Sequence, residues 1–304
     1  MATKTSLLGL TKPAYTEAAD IAVLNNNFDM IDKAVGNSAH ARNELDNSDF
    51  SAARFITQAG LNGTHGTVRY LGDRWLGHTS ITATQQTDGV LLSSAATAAY
   101  VHQKVSVKVG QEYTVVFHAT VATGGHRIAV YNGGISTLVA QDQASDRDLL
   151  LVKFTATQDV MAMLYYPGWA TGGGSAVLHW AALYEGTYTA ETLPTYVYKG
   201  YAVELAECMR YYQVFGEKRL VQSTQPNGGF SISERFAIPM RVAPTITGTY
   251  VAWSTVASGN TVVEQTAALA TSESRADGFR GYYTVGIATE LMMLDYAFAA
   301  SADL

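Results

Sequence analysis

The sequence predicts a mostly β protein, with a short N-terminal helix, an antiparallel jelly-roll sandwich and then a second β-rich domain at the C-terminus. Three observations support this fold class. Hydrophobic residues make up 47% of the 304 residues, which is enough to bury sizeable cores. Apolar and polar residues alternate over many short segments, as is typical of half-buried strands. Glycine-rich clusters separate these segments at the spacing of turns between antiparallel strands.

Residues 1–43 are predicted to form a separate N-terminal segment with one helix and a polar linker. The helix is expected to begin near Thr16, after the breaker Pro13, and to end at Gly36. Its apolar residues are spaced by three and four positions, as in a coiled-coil seam; they are Ile21, Leu24, Phe28, Ile31 and Val35. Such a seam packs either on its own domain or on the same helix of other copies. Two heptads are too few to decide between these alternatives.

Residues 44–186 are predicted to form the jelly roll. Turn clusters such as Asn132-Gly133-Gly134 divide the alternating segments of this region. Many short strands at this spacing indicate an antiparallel sandwich. The clearest strand candidates are Val105–Val109, Glu112–Ala119, Arg127–Tyr131, Leu150–Ala156, Val160–Tyr166 and Val177–Tyr184.

Residues 187–203 are predicted to be an extended linker, because Pro194 discourages regular structure. Residues 204–304 are predicted to form the second β-rich domain. Its first segment, Glu204–Val214, fits a helix followed by a strand, although periodicity alone does not decide it. The other expected strands are Phe236–Met240, Thr245–Tyr250, Thr261–Ala267, Gly281–Ile287 and Leu291–Ala299.

The charge pattern argues against some classes of partner. The formal net charge is −6, charged residues are only 15% of the chain, and no run of Lys or Arg occurs. Nucleic acid and anionic membrane surfaces both require a basic patch, so neither is expected as a partner. No segment reaches the roughly 18 uninterrupted apolar residues of a membrane span, so no membrane insertion is expected. The single cysteine, Cys208, excludes an intramolecular disulfide.

No motif of an enzyme occurs in the sequence. It lacks a phosphate-binding loop, a dinucleotide fingerprint, a zinc-binding helix motif and a nucleophile elbow, so no catalytic residue and no cofactor are expected. The seven histidines are never at metal-ligand spacing, so no metal site is expected. Asp142, Asp146 and Asp148 form a dense acidic loop. Two carboxylates about 5–9.5 Å apart could cleave a glycan there, but acidic loops are more often solvated turns.

The aromatic residues suggest where a ligand could bind. A flat aromatic ring stacks on the apolar face of a sugar, and the loop Tyr165-Tyr166-Pro167-Gly168-Trp169 is the best candidate for such contacts. The alternative is that this loop packs against a neighbouring subunit or covers the core. Trp75 is expected in the core and Trp180 in sandwich packing. A second candidate patch lies in the C-terminal domain and comprises Tyr250, Trp253, Tyr282 and Tyr283.

Four groups of segments occur in the order found in a known class of proteins. The first is Thr11-Lys12-Pro13 with Asn25-Asn26-Asn27-Phe28, and the second is Leu45-Asp46-Asn47-Ser48-Asp49-Phe50 with Asp73-Arg74-Trp75. The third is Ala182-Leu183-Tyr184-Glu185-Gly186 with Glu204-Leu205-Ala206-Glu207-Cys208-Met209-Arg210-Tyr211-Tyr212. The fourth is Pro239-Met240-Arg241-Val242-Ala243-Pro244 with Ala300-Ser301-Ala302-Asp303-Leu304. Together they resemble the tail-fibre or receptor-binding proteins of phages and prophages, which carry a carbohydrate-binding-module-like jelly roll.

The resemblance implies an elongated homotrimer whose N-terminal segment joins phage tail or baseplate proteins. We therefore expect a virion-tail protein, made in the bacterial cytoplasm, that binds a host cell-surface glycan through several weak sites and does no catalysis. The C-terminal domain is favoured over the jelly roll as the location of the receptor site. One alternative is a structural tail or baseplate subunit without a ligand. A polysaccharide depolymerase is a further alternative.

Overall fold

The computed structural model confirms the predicted fold class, with 51% of the chain in strands and 9% in helices. Every strand pair of the described residues runs antiparallel. Besides a two-stranded N-terminal sheet, the strands form two sheets in the jelly roll and two in the C-terminal domain. The described residues are 3–5, 10–13, 20–39, 42–57, 69–78, 80–96, 99–169, 173–222, 229–255, 265–266, 270–284 and 292–302.

The N-terminal segment forms a small hairpin followed by a helix. Asn27 of the helix ties the two together, because its amide oxygen accepts the Thr11 N–H at 2.9 Å and its amide nitrogen donates to the Thr11 carbonyl at 2.8 Å. In the described part of the chain, no helix combines the length and the apolar character needed to cross a bilayer. The elements of this segment are β1 (Thr3–Lys4), β2 (Thr11–Lys12) and α1 (Ile21–Ala39).

The boundaries of α1 differ from those predicted. The expected start near Thr16 lies outside the described residues. At Asp20, the side-chain carboxylate accepts the Ala22 N–H at 2.8 Å and satisfies one of the free amides of the first turn. The predicted end at Gly36 is wrong, because α1 continues to Ala39. A single glycine costs a helix only about 1 kcal/mol and does not have to end it.

The jelly roll contains a six-stranded sheet in the order β10-β9-β12-β7-β4-β3 and a five-stranded sheet in the order β11-β8-β13-β6-β5. The strands are β3 (Arg69–Gly72), β4 (Trp75–Gly77), β5 (Thr82–Gln85), β6 (Val90–Ser94), β7 (Val101–Ser106), β8 (Glu112–Thr123), β9 (His126–Asn132), β10 (Leu138–Ala144), β11 (Leu149–Thr155), β12 (Val160–Tyr166) and β13 (Gly174–Glu185). Five of the six segments predicted here lie on strands of these sheets, except for Ala156, which follows the end of β11. The prediction for Val105–Val109 is wrong beyond Ser106, because β7 ends there.

The main core lies between the two sheets and contains the alternate residues of their strands. Trp75 is fully buried there, as predicted, and its ring lies 6.0 Å from that of Phe117. Tyr165 of β12 stacks on Phe117 at 5.5 Å. Each fully buried apolar side chain of this kind contributes about 1.5–3 kcal/mol to the free energy of unfolding. This core therefore fixes which face of each strand points outward.

Residues 187–200 have no regular structure, as predicted for the linker, but they pack against the outer face of the five-stranded sheet. The predicted end of the linker at residue 203 is wrong, because a helix begins at Tyr201. Tyr196 stacks on Trp180 with ring centroids 4.8 Å apart, and Trp180 also stacks on His118 at 5.5 Å. The prediction that Trp180 lies between the two sheets is therefore wrong. Trp180 instead anchors the linker to the outside of the sandwich.

A buried polar cluster joins the jelly roll to the residues that follow the linker. Asp46 forms ion pairs with Arg74 at 3.0 Å and with Lys199 at 3.4 Å, and Lys199 reaches Glu207 at 2.6 Å. Glu204 is 1% exposed, and its carboxylate accepts the Asn47 backbone N–H at 2.6 Å. Burial opposes the charge of Asp46, but Arg74 and Lys199 outweigh it and hold its pKa below the usual range. The cluster is thus an ionic contact between the two parts.

The C-terminal domain is a smaller sandwich of a four-stranded sheet, β14-β20-β16-β17, and a three-stranded sheet, β15-β19-β18. Its core includes Phe236, Phe279 and Phe298, and the Phe279 and Phe298 rings lie 4.5 Å apart. The elements are α2 (Tyr201–Met209), β14 (Tyr212–Gln222), β15 (Gly229–Arg235), β16 (Thr245–Thr255), β17 (Gln265–Thr266), β18 (Ala270–Arg275), β19 (Gly278–Thr284) and β20 (Met292–Ser301).

Most of the predicted C-terminal elements are present. The segment Glu204–Val214 is a helix that gives way to a strand, as α2 and β14 show. The strand predicted at Phe236–Met240 is wrong, because β15 ends at Arg235. Pro239 has no N–H to donate to a neighbouring strand, which favours a break in pairing there. Most of Thr261–Ala267 lies outside the described residues.

Candidate functional site

A cavity of about 280 Å³ opens beside Trp169 at one edge of the six-stranded sheet. Its walls combine a partly exposed indole with an amide, a hydroxyl, a carboxyl and an imidazole group. The lining residues are His126, Gln143, Ala144, Ser145, Asp146 and Trp169. Pockets that bind small molecules typically have this composition, with an apolar surface and a few polar groups that orient the ligand.

Strand pairing brings these distant residues together. Gln143 of β10 pairs with Arg127 of β9, and Arg127 also pairs with Tyr166, the last residue of β12. Trp169 follows β12 by three residues and therefore lies at the same end of the sheet. A Cβ atom at Gly168 would lie 2.2 Å from the Gly174 nitrogen, so only glycine permits the close turn that places Trp169.

Arg127 holds the Trp169 indole in place from behind. Its guanidinium carbon lies 3.6 Å from the centre of the Trp169 ring and 4.1 Å from that of Tyr166, and because these rings meet nearly edge-on, with centroids 5.9 Å apart, the group contacts both of them. A partly desolvated cation–π contact of this kind contributes about 0.5–2 kcal/mol. Arg127 Nη1 donates to Gln141 Oε1 at 3.3 Å, and Arg127 Nε is buried without a hydrogen-bond partner. The indole is therefore pre-organised, which reduces the entropy lost when a ligand binds.

His126 forms the floor of the cavity in its neutral form. Its Nε2 lies 2.8 Å from the Arg147 carbonyl, which can only accept, so Nε2 carries the proton. Its Nδ1 is then the acceptor for the Tyr165 hydroxyl at 3.1 Å. Burial lowers the pKa of His126, and the Arg147 carbonyl opposes the shift. His126 therefore contributes to the shape of the cavity, and both of its ring nitrogens already have hydrogen-bond partners.

The acidic loop contributes one carboxyl group to the cavity. Asp146 lines it, whereas Asp142 forms an ion pair with Arg147 at 2.5 Å and accepts the Leu151 N–H at 3.1 Å. A sugar hydroxyl can donate to Asp146, and the Gln143 amide can donate to a sugar oxygen. Among the described residues, including those of this cavity, no three His, Cys, Asp or Glu side chains gather as a metal ion would require. The arrangement therefore suits hydrogen bonding to a neutral, hydroxyl-rich ligand.

The structure separates the aromatic residues predicted for this loop. Tyr165 is fully buried in the core, so its prediction as a ligand contact is wrong. Tyr166 is only 4% exposed and packs on Arg127, so the prediction of direct contact is wrong for it too. Successive strand residues point to opposite faces, which is why these two tyrosines cannot share one surface. Trp169 is the residue of the three that reaches the cavity.

The predicted C-terminal patch is divided between two sheets. Tyr250 and Trp253 lie on β16 of the four-stranded sheet, whereas Tyr282 and Tyr283 lie on β19 of the three-stranded sheet. Tyr282 is 43% exposed. The side chains of Tyr250, Trp253 and Tyr283 lie outside the described residues, so their prediction as ligand contacts stays a prediction.

The seam residues of α1 are exposed. The exposed fractions are 70% for Ile21, 36% for Leu24, 63% for Phe28 and 37% for Ile31. The side chain of Val35 lies outside the described residues. Of the two alternatives for the seam, packing on the chain's own domain does not occur for these four residues.

Sequence reasoning missed Arg127, Gln143 and Ser145. Arg127 occurs in an alternating segment, where an arginine next to apolar residues indicates only an outward-facing position. Its partner rings lie 39 and 42 positions further along the chain, at Tyr166 and Trp169. No local pattern could have connected these residues, because their proximity depends on the order of strands in the sheet.

Solved structures similar to this chain include carbohydrate-binding modules and a phage tailspike domain. One, described as "CBM4 structure and function", is 11% identical, covers 35% of this chain and 78% of its own, and has a TM-score of 0.30. The CBM22-1 xylan-binding domain of Paenibacillus barcinonensis Xyn10C is 11% identical, with coverages of 42% and 92% and a TM-score of 0.28. The enzymatically active domain of tailspike protein 4 of bacteriophage CBA120 is 13% identical, with coverages of 41% and 22% and a TM-score of 0.28.

No protein-family model matches the chain, and no curated protein matches it either.

Proposed function

We propose that this chain is a glycan-binding protein of a phage or phage-like tail, which recognises a host cell-surface saccharide in the Trp169 cavity without chemically changing it. The observation that carries the proposal is the combination of a fixed, partly exposed indole with amide, hydroxyl and carboxyl groups around one cavity. An indole stacks on the C–H face of a sugar ring, while the polar groups bond its hydroxyls. Both kinds of contact are needed, because an aromatic surface alone does not select one sugar from another.

We propose that the chain binds a saccharide without catalysing its hydrolysis, because one acidic side chain, that of Asp146, is among the described residues that line the cavity. Hydrolysis of a glycoside requires a pair of carboxyl groups on either side of the bond. Of the other two carboxyl groups in this loop, that of Asp142 is engaged by Arg147 and by a backbone N–H, and that of Asp148 does not line the cavity.

Attachment to a tail is proposed for the N-terminal segment. The four described seam residues of α1 remain exposed at coiled-coil spacing, so they are free to pack on other copies of α1 or on a tail protein. The proposal of a homotrimer rests on this seam and on the resemblance of the sequence to tail-fibre proteins. On this proposal the chain acts on the outside of the particle.

Several copies on one particle make weak sites sufficient. A single shallow sugar site with a Kd near 1 mM corresponds to about −4 kcal/mol. Linking several such sites raises the effective affinity by roughly 10²- to 10⁴-fold without any new contact.

A glycan array probed with the full chain tests the proposal. We expect binding to a neutral saccharide, and we expect Trp169→Ala to weaken it by about tenfold or more, because the stacking surface is lost. Tyr201→Ala is the matched control, since Tyr201 is an aromatic residue that is 55% exposed and lies far along the chain from the cavity. If the wild-type chain binds no saccharide, the alternative of a structural tail or baseplate subunit is favoured. If Trp169→Ala binds as well as the wild type, the cavity is not the site.

A further inference from the structure

We propose that the Trp169 cavity prefers an amino sugar, which is a saccharide whose ring carries a free and positively charged amino group, and that Asp146 binds this group. The inference rests on the proposed function, because it names the class of saccharide that the same cavity takes. Among the described residues that line the cavity, Asp146 is the one with a full charge at neutral pH. Within the described part of the chain, its carboxylate has no ion-pair or hydrogen-bond partner.

The chain next to Asp146 is tied to the strands on either side of the cavity. Asp146 lies in the loop between β10 and β11, and its neighbour Arg147 accepts the His126 Nε2–H with its carbonyl at 2.8 Å. The Arg147 guanidinium pairs with Asp142 of β10 at 2.5 Å. The Asp146 backbone is therefore held against β9 and β10 before a ligand arrives, which reduces the entropy that the loop loses on binding.

Negative charge exceeds positive charge around the cavity. The acidic loop and the start of β9 together contain three acids and two arginines, which are Asp142, Asp146, Asp148, Arg127 and Arg147. Asp142 and Arg147 neutralise each other as an ion pair. The charge of Arg127 is in contact with the rings of Trp169 and Tyr166. Two carboxylates then face one cation, so the surroundings favour a positively charged ligand over a negatively charged one.

The charges that act on His126 give the sign of the field at the floor of the cavity. Burial has the largest effect on the pKa of His126 and lowers it, so the ring is neutral and adds no positive charge. Of the neighbouring charges, Asp148 and Asp142 raise this pKa and Arg147 lowers it, and Asp148 has the largest effect of the three. The net field of these side chains at the floor is therefore negative, which stabilises an ammonium group.

The indole and the carboxylate bind different parts of an amino sugar. Arg127 already contacts the Trp169 ring at 3.6 Å, so the indole serves as a stacking surface for the C–H face of the sugar and the ammonium is left to Asp146. An ammonium has three donors, and a carboxylate accepts with both oxygens. A sugar hydroxyl can donate to Asp146 as well, but a hydrogen bond between two charged groups is roughly twice as strong. Neutral saccharides therefore bind in the same cavity, but more weakly.

Calorimetric titration of the full chain with three trisaccharides tests the inference. Cellotriose, chitotriose and the fully deacetylated form of chitotriose share one β-1,4-linked backbone and differ at carbon 2, which carries a hydroxyl, an acetamido or a free amino group. At about pH 5.5, where an amine is protonated, we expect the amino trisaccharide to bind about two- to fivefold more tightly than cellotriose, as is usual for an exposed ion pair. This preference should shrink as the salt concentration rises from about 0.05 to about 0.5 M, because salt screens exposed charges.

Asp146→Asn should remove the preference and leave the affinity for cellotriose unchanged, because the amide keeps the shape of the side chain but not its charge. Asp159→Asn is the matched control. It removes the same charge from an exposed position that precedes β12, whereas Trp169 follows that strand at its other end. Asp159→Asn should keep the preference of the wild type for the amino trisaccharide.

Each outcome decides the inference. It is overturned, while the proposed function stands, if the wild type binds the amino trisaccharide no better than cellotriose, if chitotriose binds better than the amino form, or if Asp146→Asn keeps the preference. Binding of none of the three at millimolar concentration overturns both. If Trp169→Ala binds cellotriose like the wild type while Asp146→Asn loses the preference, the proposed stacking on the indole fails and the present inference is supported.

Discussion

Asn47 uses all of its polar atoms to fix the loop at the start of the jelly roll. Its side-chain oxygen accepts the Ile56 N–H at 2.8 Å, and its side-chain nitrogen donates to the carbonyls of Ile56 and Asp73, each at 2.8 Å. Its backbone carbonyl accepts the Trp75 indole N–H at 2.8 Å, and its backbone N–H donates to Glu204. The residue also has a φ of 50°, a conformation that Asn tolerates better than most residues.

Asn47→Ala should therefore lower the free energy of unfolding by about 2–4 kcal/mol, because the change leaves buried backbone groups without partners and keeps a strained φ. Urea unfolding followed by tryptophan fluorescence measures it. Asn132→Ala is the control, since the Asn132 side chain accepts the Ser136 N–H at 2.8 Å in an exposed turn, where water can replace it. Equal losses in the two variants would contradict the explanation.

The effect of Arg127 on saccharide binding can be measured separately from its effect on packing. We expect Arg127→Ala to weaken binding of the neutral saccharide by about five- to tenfold, because the indole loses a cation–π contact of about 1 kcal/mol and becomes mobile. Arg127→Lys keeps the charge but not the planar group that contacts Tyr166 and Trp169, so it should restore only part of the affinity.

The measurements are calorimetric affinity and the fluorescence anisotropy of the indole at Trp169. If Arg127 had only a structural role, Arg127→Ala would lower the free energy of unfolding. It would leave the anisotropy unchanged at a temperature where the variant is folded. Affinity that is unchanged in Arg127→Ala would show that Trp169 is held by other contacts.

The proposed role of helix α1 depends on its contacts with other protein chains. Four apolar residues of its seam are exposed, and an isolated helix of 19 residues with such a surface is marginal in water. We expect the double variant Leu24→Asp with Phe28→Asp to abolish assembly, because charges at seam positions cannot be buried. Light scattering at micromolar concentration should show oligomers for the wild type and monomers for the variant.

The control for α1 replaces exposed residues away from the seam, Asn25→Asp and Asp29→Asn, which should keep the wild-type mass. Circular dichroism should show that both β domains stay folded in every variant. A wild-type chain that is a stable monomer at micromolar concentration would rule out self-association through the seam.

At the scale of the whole molecule, the polar cluster at the junction makes the contact between the jelly roll and α2 sensitive to pH. Burial raises the pKa of Glu204 to about 7 from a usual value of 4.5, although the Asn47 N–H and Lys199 favour the charged form. Asp46 and Glu207 also face this carboxyl and add repulsion. Between pH 4.5 and 7 the folded state therefore holds a proton that the unfolded state has released. The contribution of Glu204 to the free energy of unfolding falls as the pH rises through this range.

Glu204→Gln isolates this contribution, because the amide oxygen can still accept the Asn47 N–H but cannot ionise. Burial lowers the pKa of His102 to about 4, so His102 adds stability as the pH rises from 4 to 6.5 and partly cancels Glu204 in the wild type. The measured quantity is therefore the difference in free energy of unfolding between variant and wild type. We expect the variant to gain on the wild type from pH 5 to pH 8. A difference that does not change with pH would contradict a raised pKa at Glu204.

Local sequence patterns account for most of the elements. The alternation from Val160 to Tyr166 predicts β12 at its observed bounds, and the mixed periodicity after Glu204 corresponds to α2 followed by β14. Gly36 led to a wrong prediction of the end of α1, because the weak preference of one glycine against helix is outweighed by the helical residues around it. Phe236 was assigned to a strand by its apolar character, but it packs in the core from a segment beyond the end of β15.

The candidate site could be predicted only in part. The sequence singled out the loop that ends at Trp169, because a tryptophan beside Pro167 and Gly168 does not suit a strand. It also noted the acidic loop that contains Asp146. It could not show that these two loops share a cavity, since that depends on the pairing of β9 with both β10 and β12.

The sequence by itself determined the mostly β fold class and many of the strands, because these depend on the alternation, spacing and turn preferences of residues close together in the chain. Only the tertiary structure decided which face is buried, that Arg127 contacts both Tyr166 and Trp169, and that Trp180 anchors the linker. These contacts join residues brought together by sheet order and by the packing of one surface against another, and no local pattern encodes either.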